Sequence, residues 1–164
     1  MTIYANLVIG LDGSTSSNGS SAKLSSQEDR RRFHELRKCT DVIFIGGETA
    51  RNEPYSNTPL PLVVVSKSSV IEEITGNEKV KILNDSPIDA LKITIKEFGE
   101  NVLIEGGPNL LLEVIDLVDE LYITIANRSG DGQLVSFDGL TRNFIMEDMV
   151  KVDGEIFYKF KREK

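Results

Sequence analysis

The sequence of 164 residues predicts an α/β domain built on a mixed, mostly parallel sheet. Apolar runs at 42–45, 62–65 and 102–104 are continuous, as in strands that are buried on both faces. Helical patterns separate these runs, and such alternation is typical of parallel sheets. Two strands joined by Asp153 and Gly154 close the chain, and this dipeptide indicates an antiparallel hairpin. The length suits one hydrophobic core, so we expect one domain over residues 1–164.

The composition excludes several classes of function. A formal net charge of −7 argues against a nucleic-acid-binding surface, although it is compatible with a local basic pocket for a small phosphorylated ligand. No apolar run has the length of a membrane span, and the first residues lack a basic segment followed by an apolar core. We therefore expect a cytoplasmic protein with no membrane partner. Cys39 is the single cysteine and His34 the single histidine, so we expect neither an internal disulfide nor a bound metal.

Residues 3–11 predict the first strand, and Asp12 with Gly13 gives a turn signal at its end. The next residues, 14–21, are all serine, threonine, asparagine or glycine. Such a segment packs poorly, so it is either a mobile linker or a lid over a ligand.

A capping box of Ser25 and Glu28 predicts a helix that extends to about Lys38, with Phe33 and Leu36 facing the core. A second stripe of the same helix carries three basic side chains, those of Arg30, His34 and Arg37. Such a stripe is usually solvated, and His34 alone is interpreted in that way. The arginines can instead offer guanidinium groups to an anion if the stripe borders the polar loop.

Two predicted strands end on a pair of glycines and lead into helices. Gly46 and Gly47 form the first pair, while Gly106 and Gly107 form the second, directly before Pro108. Glycine lets the backbone approach a ligand closely, and the free N–H groups at a helix start attract phosphate. Ligands of open α/β sheets lie at the carboxyl ends of strands, so both pairs should line one crevice. The ordinary alternative is tight packing of a connection.

The rest of the chain continues the alternation of strands and helices. The predicted elements are a proline-rich loop at 52–61, strands at 80–83 and 119–126, helices at 87–98 and 108–115, a glycine-rich loop at 127–133, and hairpin strands at 144–152 and 155–161. Lys67 stands among hydroxyl residues just after the strand 62–65. A lysine at this position suits a ribose 2′-phosphate, and an ordinary polar loop is the alternative.

A series of short motifs runs through the chain. They are LDG at 11–13, ELRK at 35–38, GGET at 46–49, NEP at 52–54, VVVSKS at 63–68, LIEGGPNLLLE at 103–113 and LVDELYITIA at 117–126. Together they resemble the reductase domain of riboflavin biosynthesis, within the dihydrofolate-reductase-like superfamily. EGGP together with DEL is the most specific part of the resemblance. It implies a three-layer dihydrofolate-reductase-like fold, NADPH as the cofactor and a homodimer.

The resemblance also implies the residues of the site. The implied NADPH-binding positions are Val8, Lys23, Gly46, Gly47, Thr49, Ser66, Lys67, Gly106, Gly107, Pro108, Asn109, Leu110 and Leu111. The implied substrate-binding positions are Ser21, Arg37, Asn52 and Glu105. Glu53 and Glu105 are the candidate catalytic proton sources, directly or through water.

The chain departs from the family pattern mainly on the substrate side. Lys23 replaces a usual tryptophan, and Asn52 with Glu53 replaces an acidic pair. One residue is missing between Thr49 and Pro54, and residues 55–60 lack an arginine that often binds the substrate phosphate. The cofactor half of the pattern therefore matches better than the substrate half.

The reaction implied by the resemblance is hydride transfer to C1′ of the ribosylamino group of 5-amino-6-(5-phosphoribosylamino)uracil, a phosphorylated pyrimidine. Two alternatives stay open. One is reduction of dihydrofolate or another pterin-like substrate on the same fold. The other is a non-catalytic protein that keeps the nucleotide crevice.

Overall fold

The computed structural model describes residues 1–163, which form an eight-stranded sheet with helices on both faces. The strands are β1 (Thr2–Ile9), β2 (Val42–Gly46), β3 (Leu62–Val65), β4 (Val80–Leu83), β5 (Asn101–Ile104), β6 (Glu120–Ile125), β7 (Phe144–Val152) and β8 (Glu155–Arg162). The helices are α1 (Gln27–Arg37), α2 (Gly47–Asn52), α3 (Pro87–Phe98), α4 (Pro108–Val114) and α5 (Phe137–Thr141). Short 3₁₀ turns occupy Ser21–Lys23, Glu72–Ile74 and Ile115–Leu117.

The strand order is β4-β3-β2-β5-β1-β6-β8-β7. All pairs from β4 to β6 are parallel, whereas β8 runs antiparallel to β6 and to β7. The hairpin between β7 and β8 turns at Asp153 and Gly154, which both have positive φ. The predicted mixed, mostly parallel sheet with a C-terminal antiparallel hairpin is confirmed.

Alternate side chains of the central strands enter two separate hydrophobic cores. In β2, Val42 and Phe44 enter the core that α3 and α4 cover, whereas Ile43 and Ile45 enter the core on the side of α2. All four side chains are fully buried, which explains why the central strands are apolar at every position. The domain therefore has three layers, with the sheet between two layers of helices.

Helix α1 begins one residue later than its predicted capping box implies. The Ser26 hydroxyl accepts a hydrogen bond from Asp29 N at 3.0 Å, whereas the Ser25 hydroxyl contacts the Asp29 carboxylate. The two adjacent serines each start a pattern of serine, two residues and an acid, and both patterns fit a capping box. The box of Ser25 with Glu28 was therefore wrong by one residue.

The prediction that Phe33 and Leu36 face the core is also wrong. Both residues are only half-buried, and Asp29 alone is buried among the residues of α1. Phe33 lines a large cavity, and Leu36 lines a smaller one of about 300 Å³ between the helix and strands β6 and β8. The helical period thus directs these side chains toward cavities instead of a packed core.

The polar segment 14–21 packs more tightly than its composition predicts. Ser14 and Thr15 are buried, and Thr15 N donates to Gln133 O at 2.9 Å. A Cβ on Gly132 would overlap the Ser16 side chain, so only glycine allows the loop at 127–133 to approach this segment. The segment therefore packs over the carboxyl ends of the strands, as a lid does, and is not a free linker.

Candidate active site

A cavity of about 730 Å³ opens at the carboxyl ends of β1, β2 and β5. Its walls come from the segment 14–21, from α1, and from the first residues of α2 and α4. The volume lies in the range of small-molecule sites, and the position is the one at which open α/β sheets bind ligands.

The two glycine pairs meet in this cavity. Gly46 N donates to Gly106 O at 3.3 Å, and Gly106 has a φ of 111°, which side chains disfavour. Thr49 Oγ1 lies beside the second pair, 3.1 Å from the point that a Cβ on Gly107 would occupy. The prediction that both glycine pairs line one crevice is therefore confirmed. The hydroxyl group of Thr49 lies in the same crevice.

Arg37, Glu105 and Tyr55 form a hydrogen-bonded network in the cavity wall. Arg37 Nε and Nη2 donate to Glu105 Oε1 and Oε2 at 2.7 and 2.8 Å, and the Tyr55 hydroxyl donates to Oε2 at 2.6 Å. The Arg37 guanidinium also lies 4.3 Å from the centroid of the Phe33 ring. The Glu105 side chain is 0% exposed and that of Arg37 is 13% exposed, so the ion pair is largely shielded from solvent.

The charges of this network follow from its contacts. Burial opposes the charged form of Arg37, but the hydrogen bonds and negative charge of Glu105 outweigh it and raise the pKa of Arg37. Burial, helped by the charge of Glu105, raises the pKa of Tyr55 well above its ordinary value. Tyr55 therefore remains a neutral donor at neutral pH, and the two side-chain oxygens of Glu105 accept three hydrogen bonds.

The resemblance implies that Arg37 and Glu105 both contact substrate. Both residues line the cavity, and there each is the other's hydrogen-bond partner. The Glu105 side chain has no solvent exposure, yet Glu105 lines the cavity together with Arg37 and Tyr55. Among residues 1–163, Nη1 of Arg37 donates no side-chain hydrogen bond, so it can donate to a ligand.

Glu53 joins the segment 14–21 to the end of α2. Its carboxylate accepts hydrogen bonds from Ser20 Oγ at 3.0 Å and from Ser21 N at 2.5 Å. Ser21, Asn52 and Glu53 all line the cavity. Three of the predicted substrate-side residues are thus brought together, although Ser21 and Glu53 are far apart in the sequence.

The remaining predicted cofactor positions divide into two groups. Those that line the cavity are Val8, Pro108, Asn109 and Leu110. Those outside its wall are Lys23, Ser66, Lys67 and Leu111. Lys23 Nζ instead donates to Asn18 O at 3.2 Å, and Leu111 is buried in the core. Ser66 borders Gly47 just beyond the cavity.

Sequence reasoning missed several residues of the cavity wall, and Asp29 and Tyr55 are two buried ones among them. Asp29 is 6% exposed and Tyr55 is also 6% exposed, yet both line the cavity. Asp29 occupies the third position of α1, where an acid is ordinarily explained by helix capping. Tyr55 follows Pro54 in a loop without periodicity, so neither position carried a usable signal.

Among residues 1–163, no three His, Cys, Asp or Glu side chains cluster in a way that could hold a metal ion. Within the same range, none of the helices combines the length and the apolar character that crossing a membrane requires.

Solved structures share this fold. A pyrimidine reductase-like protein from Corynebacterium diphtheriae superposes with a TM-score of 0.75 and 20% identity over 99% of this chain and 92% of that chain. A diaminohydroxyphosphoribosylaminopyrimidine deaminase/5-amino-6-(5-phosphoribosylamino)uracil reductase from Thermotoga maritima gives a TM-score of 0.72 and 16% identity over 99% and 56%. The domain has the pyrimidine reductase fold, and the predicted fold class is confirmed.

Sequence comparison gives the family. A 2,5-diamino-6-ribosylamino-4(3H)-pyrimidinone 5′-phosphate reductase from Methanothermobacter thermautotrophicus is 26% identical over an alignment that covers 76% of each chain. The model of the RibD C-terminal domain matches residues 1–129. The chain belongs to the RibD C-terminal domain family. This membership confirms the resemblance drawn from the motifs and the prediction of a reductase.

Proposed function

We propose that the chain is an NADPH-dependent reductase that acts on 5-amino-6-(5-phosphoribosylamino)uracil. The observation that carries the proposal is the meeting of both glycine pairs and Thr49 in one cavity of about 730 Å³. In the reaction a C–H bond forms at C1′ and the bond from C1′ to the ring oxygen breaks. That oxygen takes a proton, so the sugar becomes an open ribityl chain.

The residues around the second glycine pair fit a dinucleotide diphosphate. A Cβ on Gly107 would press on Thr49 Oγ1, so the absence of a side chain leaves this part of the cavity open. The first intrahelical bond of α4 runs from Leu111 N to Gly107 O, which leaves the N–H groups of Asn109 and Leu110 without a helical partner. When bound, the nicotinamide of NADPH supplies the hydride.

Basic side chains on α1 support a site for the sugar phosphate. Arg30 and His34 are exposed and line the cavity beside the segment 14–21. Arg37 is already paired with Glu105, so Arg30 and His34 are the better candidates for the phosphate. They also compensate for the absence of an arginine in residues 55–60. Arg30 now donates to Ala22 O at 3.2 Å, a contact that a phosphate would replace.

Two roles remain, binding of the pyrimidine ring and delivery of the proton, and carboxylates of the cavity wall are the candidates for both. Asp29 lines the cavity and is proposed to accept N–H groups of the pyrimidine ring. Glu53 is the better candidate for delivering the proton, directly or through water, because it lies in the cavity wall and is only half-buried. Glu105 is the weaker candidate, because its buried side chain already accepts hydrogen bonds from Arg37 and Tyr55.

A second substrate has a specific observation in its favour. The relative from Methanothermobacter thermautotrophicus is named for the 2,5-diamino pyrimidinone, which carries an amino group where the uracil carries an oxygen. Both compounds present the same phosphoribosylamino group to the cavity. The two substrates would therefore share the reduction at C1′ and differ only at the ring edge.

The proposal is tested by steady-state kinetics with purified protein. NADPH oxidation is followed with the uracil, with the diamino pyrimidinone and with dihydrofolate. Turnover of either phosphoribosylamino compound, with dihydrofolate inactive, is the expected result. Turnover of dihydrofolate alone would mean that the substrate is pterin-like and not a phosphoribosylamino pyrimidine. NADPH binding without any oxidation would indicate a non-catalytic nucleotide-binding protein.

We further propose that the chain works as a homodimer in the cytoplasm. The edge strand β7 exposes Ile145, Met146 and Met149, whose exposed fractions are 56%, 54% and 42%. Apolar edge strands are commonly covered by another chain. Light scattering in solution should give a mass near twice that of one chain, and the mass of a single chain would contradict the dimer.

A further inference from the structure

The space that Gly47 leaves empty is occupied by two polar side chains from different elements. An ideal Cβ on Gly47 would lie 2.9 Å from Ser66 Oγ and 3.2 Å from Arg51 Nη1. Arg51 is one helical turn after Gly47 on α2, and Ser66 directly follows β3. The guanidinium and the hydroxyl thus converge at the carboxyl ends of β2 and β3, just beyond the cavity wall.

The Arg51 guanidinium is free to bind an anion. Among residues 1–163, no carboxylate lies within ion-pair distance of it, and it donates no hydrogen bond. By contrast, Arg31, Arg32 and Arg37 each have a carboxylate partner. An exposed arginine held beside a glycine, without a counter-charge, is suited to a doubly charged phosphate ester.

Ser66 is prepared to act as a donor at the same point. Its Oγ accepts a hydrogen bond from Ser68 N at 3.1 Å, which leaves its own proton available. Binding sites that favour a free ribose 2′-hydroxyl place an acidic residue near the end of a strand, where its carboxylate accepts the hydroxyl proton. Here the corresponding end of β3 carries Ser66 and Lys67, so a carboxylate acceptor is missing from this position.

We propose that Arg51, assisted by Ser66, binds the 2′-phosphate of the adenosine ribose and sets the preference for NADPH over NADH. The inference rests on the proposed function and names the residue that determines its cofactor. It also revises the expectation from the sequence, in which Lys67 had this role. Lys67 is exposed, whereas the side chains nearest to the missing Cβ of Gly47 are those of Ser66 and Arg51.

Calorimetric binding to adenosine 2′,5′-bisphosphate, adenosine 5′-monophosphate, NADPH and NADH tests the inference without any turnover. The wild-type protein should bind each 2′-phosphorylated ligand about tenfold or more tightly than its counterpart, and added salt should weaken this preference. Arg51→Ala should lose most of the preference while its affinity for NADH stays within about twofold. Arg51→Glu should reverse the preference.

Two further variants make the result specific. Arg142→Ala removes an exposed arginine that does not line the cavity, and it should keep the wild-type preference. Lys67→Ala separates the two candidate cations. A preference that survives Arg51→Ala, or that is lost only in Lys67→Ala, would overturn the inference while the proposed function stands. A wild-type protein that binds neither dinucleotide would overturn the proposed function as well.

Discussion

Replacing Arg37 by alanine should strongly destabilise the fold, because it removes the cation from a buried ion pair. Two hydrogen bonds to Glu105, at 2.7 and 2.8 Å, are lost in this variant. The Glu105 side chain is 0% exposed, so water cannot readily replace the guanidinium. Only the hydrogen bond from Tyr55, at 2.6 Å, remains on the carboxylate. Arg37→Ala also removes the contact of the guanidinium with the Phe33 ring.

The magnitude follows from the burial. Breaking a buried ion pair by removing one partner costs about 3–5 kcal/mol, since an uncompensated charge is left behind. We expect about 3 kcal/mol here, the lower end of that range, because Tyr55 still donates a hydrogen bond to the Glu105 carboxylate. For a domain of this size, such a loss lowers the melting temperature by about 6–12 °C.

Urea unfolding followed by circular dichroism measures this loss, with two variants as references. Arg31→Ala removes an arginine whose side chain is 58% exposed in its pair with Glu28, so its free energy of unfolding should stay within about 0.5 kcal/mol of the wild type. Adding Glu105→Gln to Arg37→Ala should restore part of the stability, because it removes the unpaired charge. If Arg37→Ala is as stable as Arg31→Ala, the buried ion pair of Arg37 and Glu105 does not stabilise the fold as described.

Two other predictions concern the glycine turn and the phenol. Gly107→Val places a Cβ about 3.1 Å from Thr49 Oγ1, so NADPH affinity measured by calorimetry should fall at least about tenfold, about 1.4 kcal/mol, in a folded protein. Gly76→Val meets no atom within 4 Å and should bind normally; equal affinities in the two variants would refute this reasoning. Tyr55→Phe should lower the free energy of unfolding by about 1.5–3 kcal/mol at pH 7. The pKa of Tyr55 is raised in the fold, so its contribution is complete below the unfolded pKa of about 10 and is lost as pH rises above it. The difference in free energy of unfolding between wild type and variant should therefore stay constant up to about pH 10 and shrink above it, and a difference that does not shrink above about pH 10 would contradict the assignment.

The sequence was most informative where local signals are strong. The observed bounds of β3, β4 and α3 agree with the predicted ones, because continuous apolar runs, the serine and proline before α3 and the following glycine are all local features. The two glycine pairs could also be placed together, because the carboxyl ends of parallel strands share one edge of the sheet.

The contacts that complete the site could not be predicted in this way. Arg37 and Glu105 are separated by 68 residues, and their pairing depends on how α1 lies over the end of β5. The position of Arg51 depends on the missing side chain of Gly47, which no periodicity reveals. Side-chain partners across elements follow from tertiary packing, whereas periodicity and capping report only on the element itself.

The most direct test of the proposed function follows the hydride. The purified protein is incubated with NADPH deuterated at both C4 positions and with 5-amino-6-(5-phosphoribosylamino)uracil, and the product is analysed by mass spectrometry and NMR. The account predicts a ribitylamino product that carries one deuterium, at C1′. A product without deuterium at C1′, or no product from a protein that binds NADPH and this pyrimidine, would contradict it.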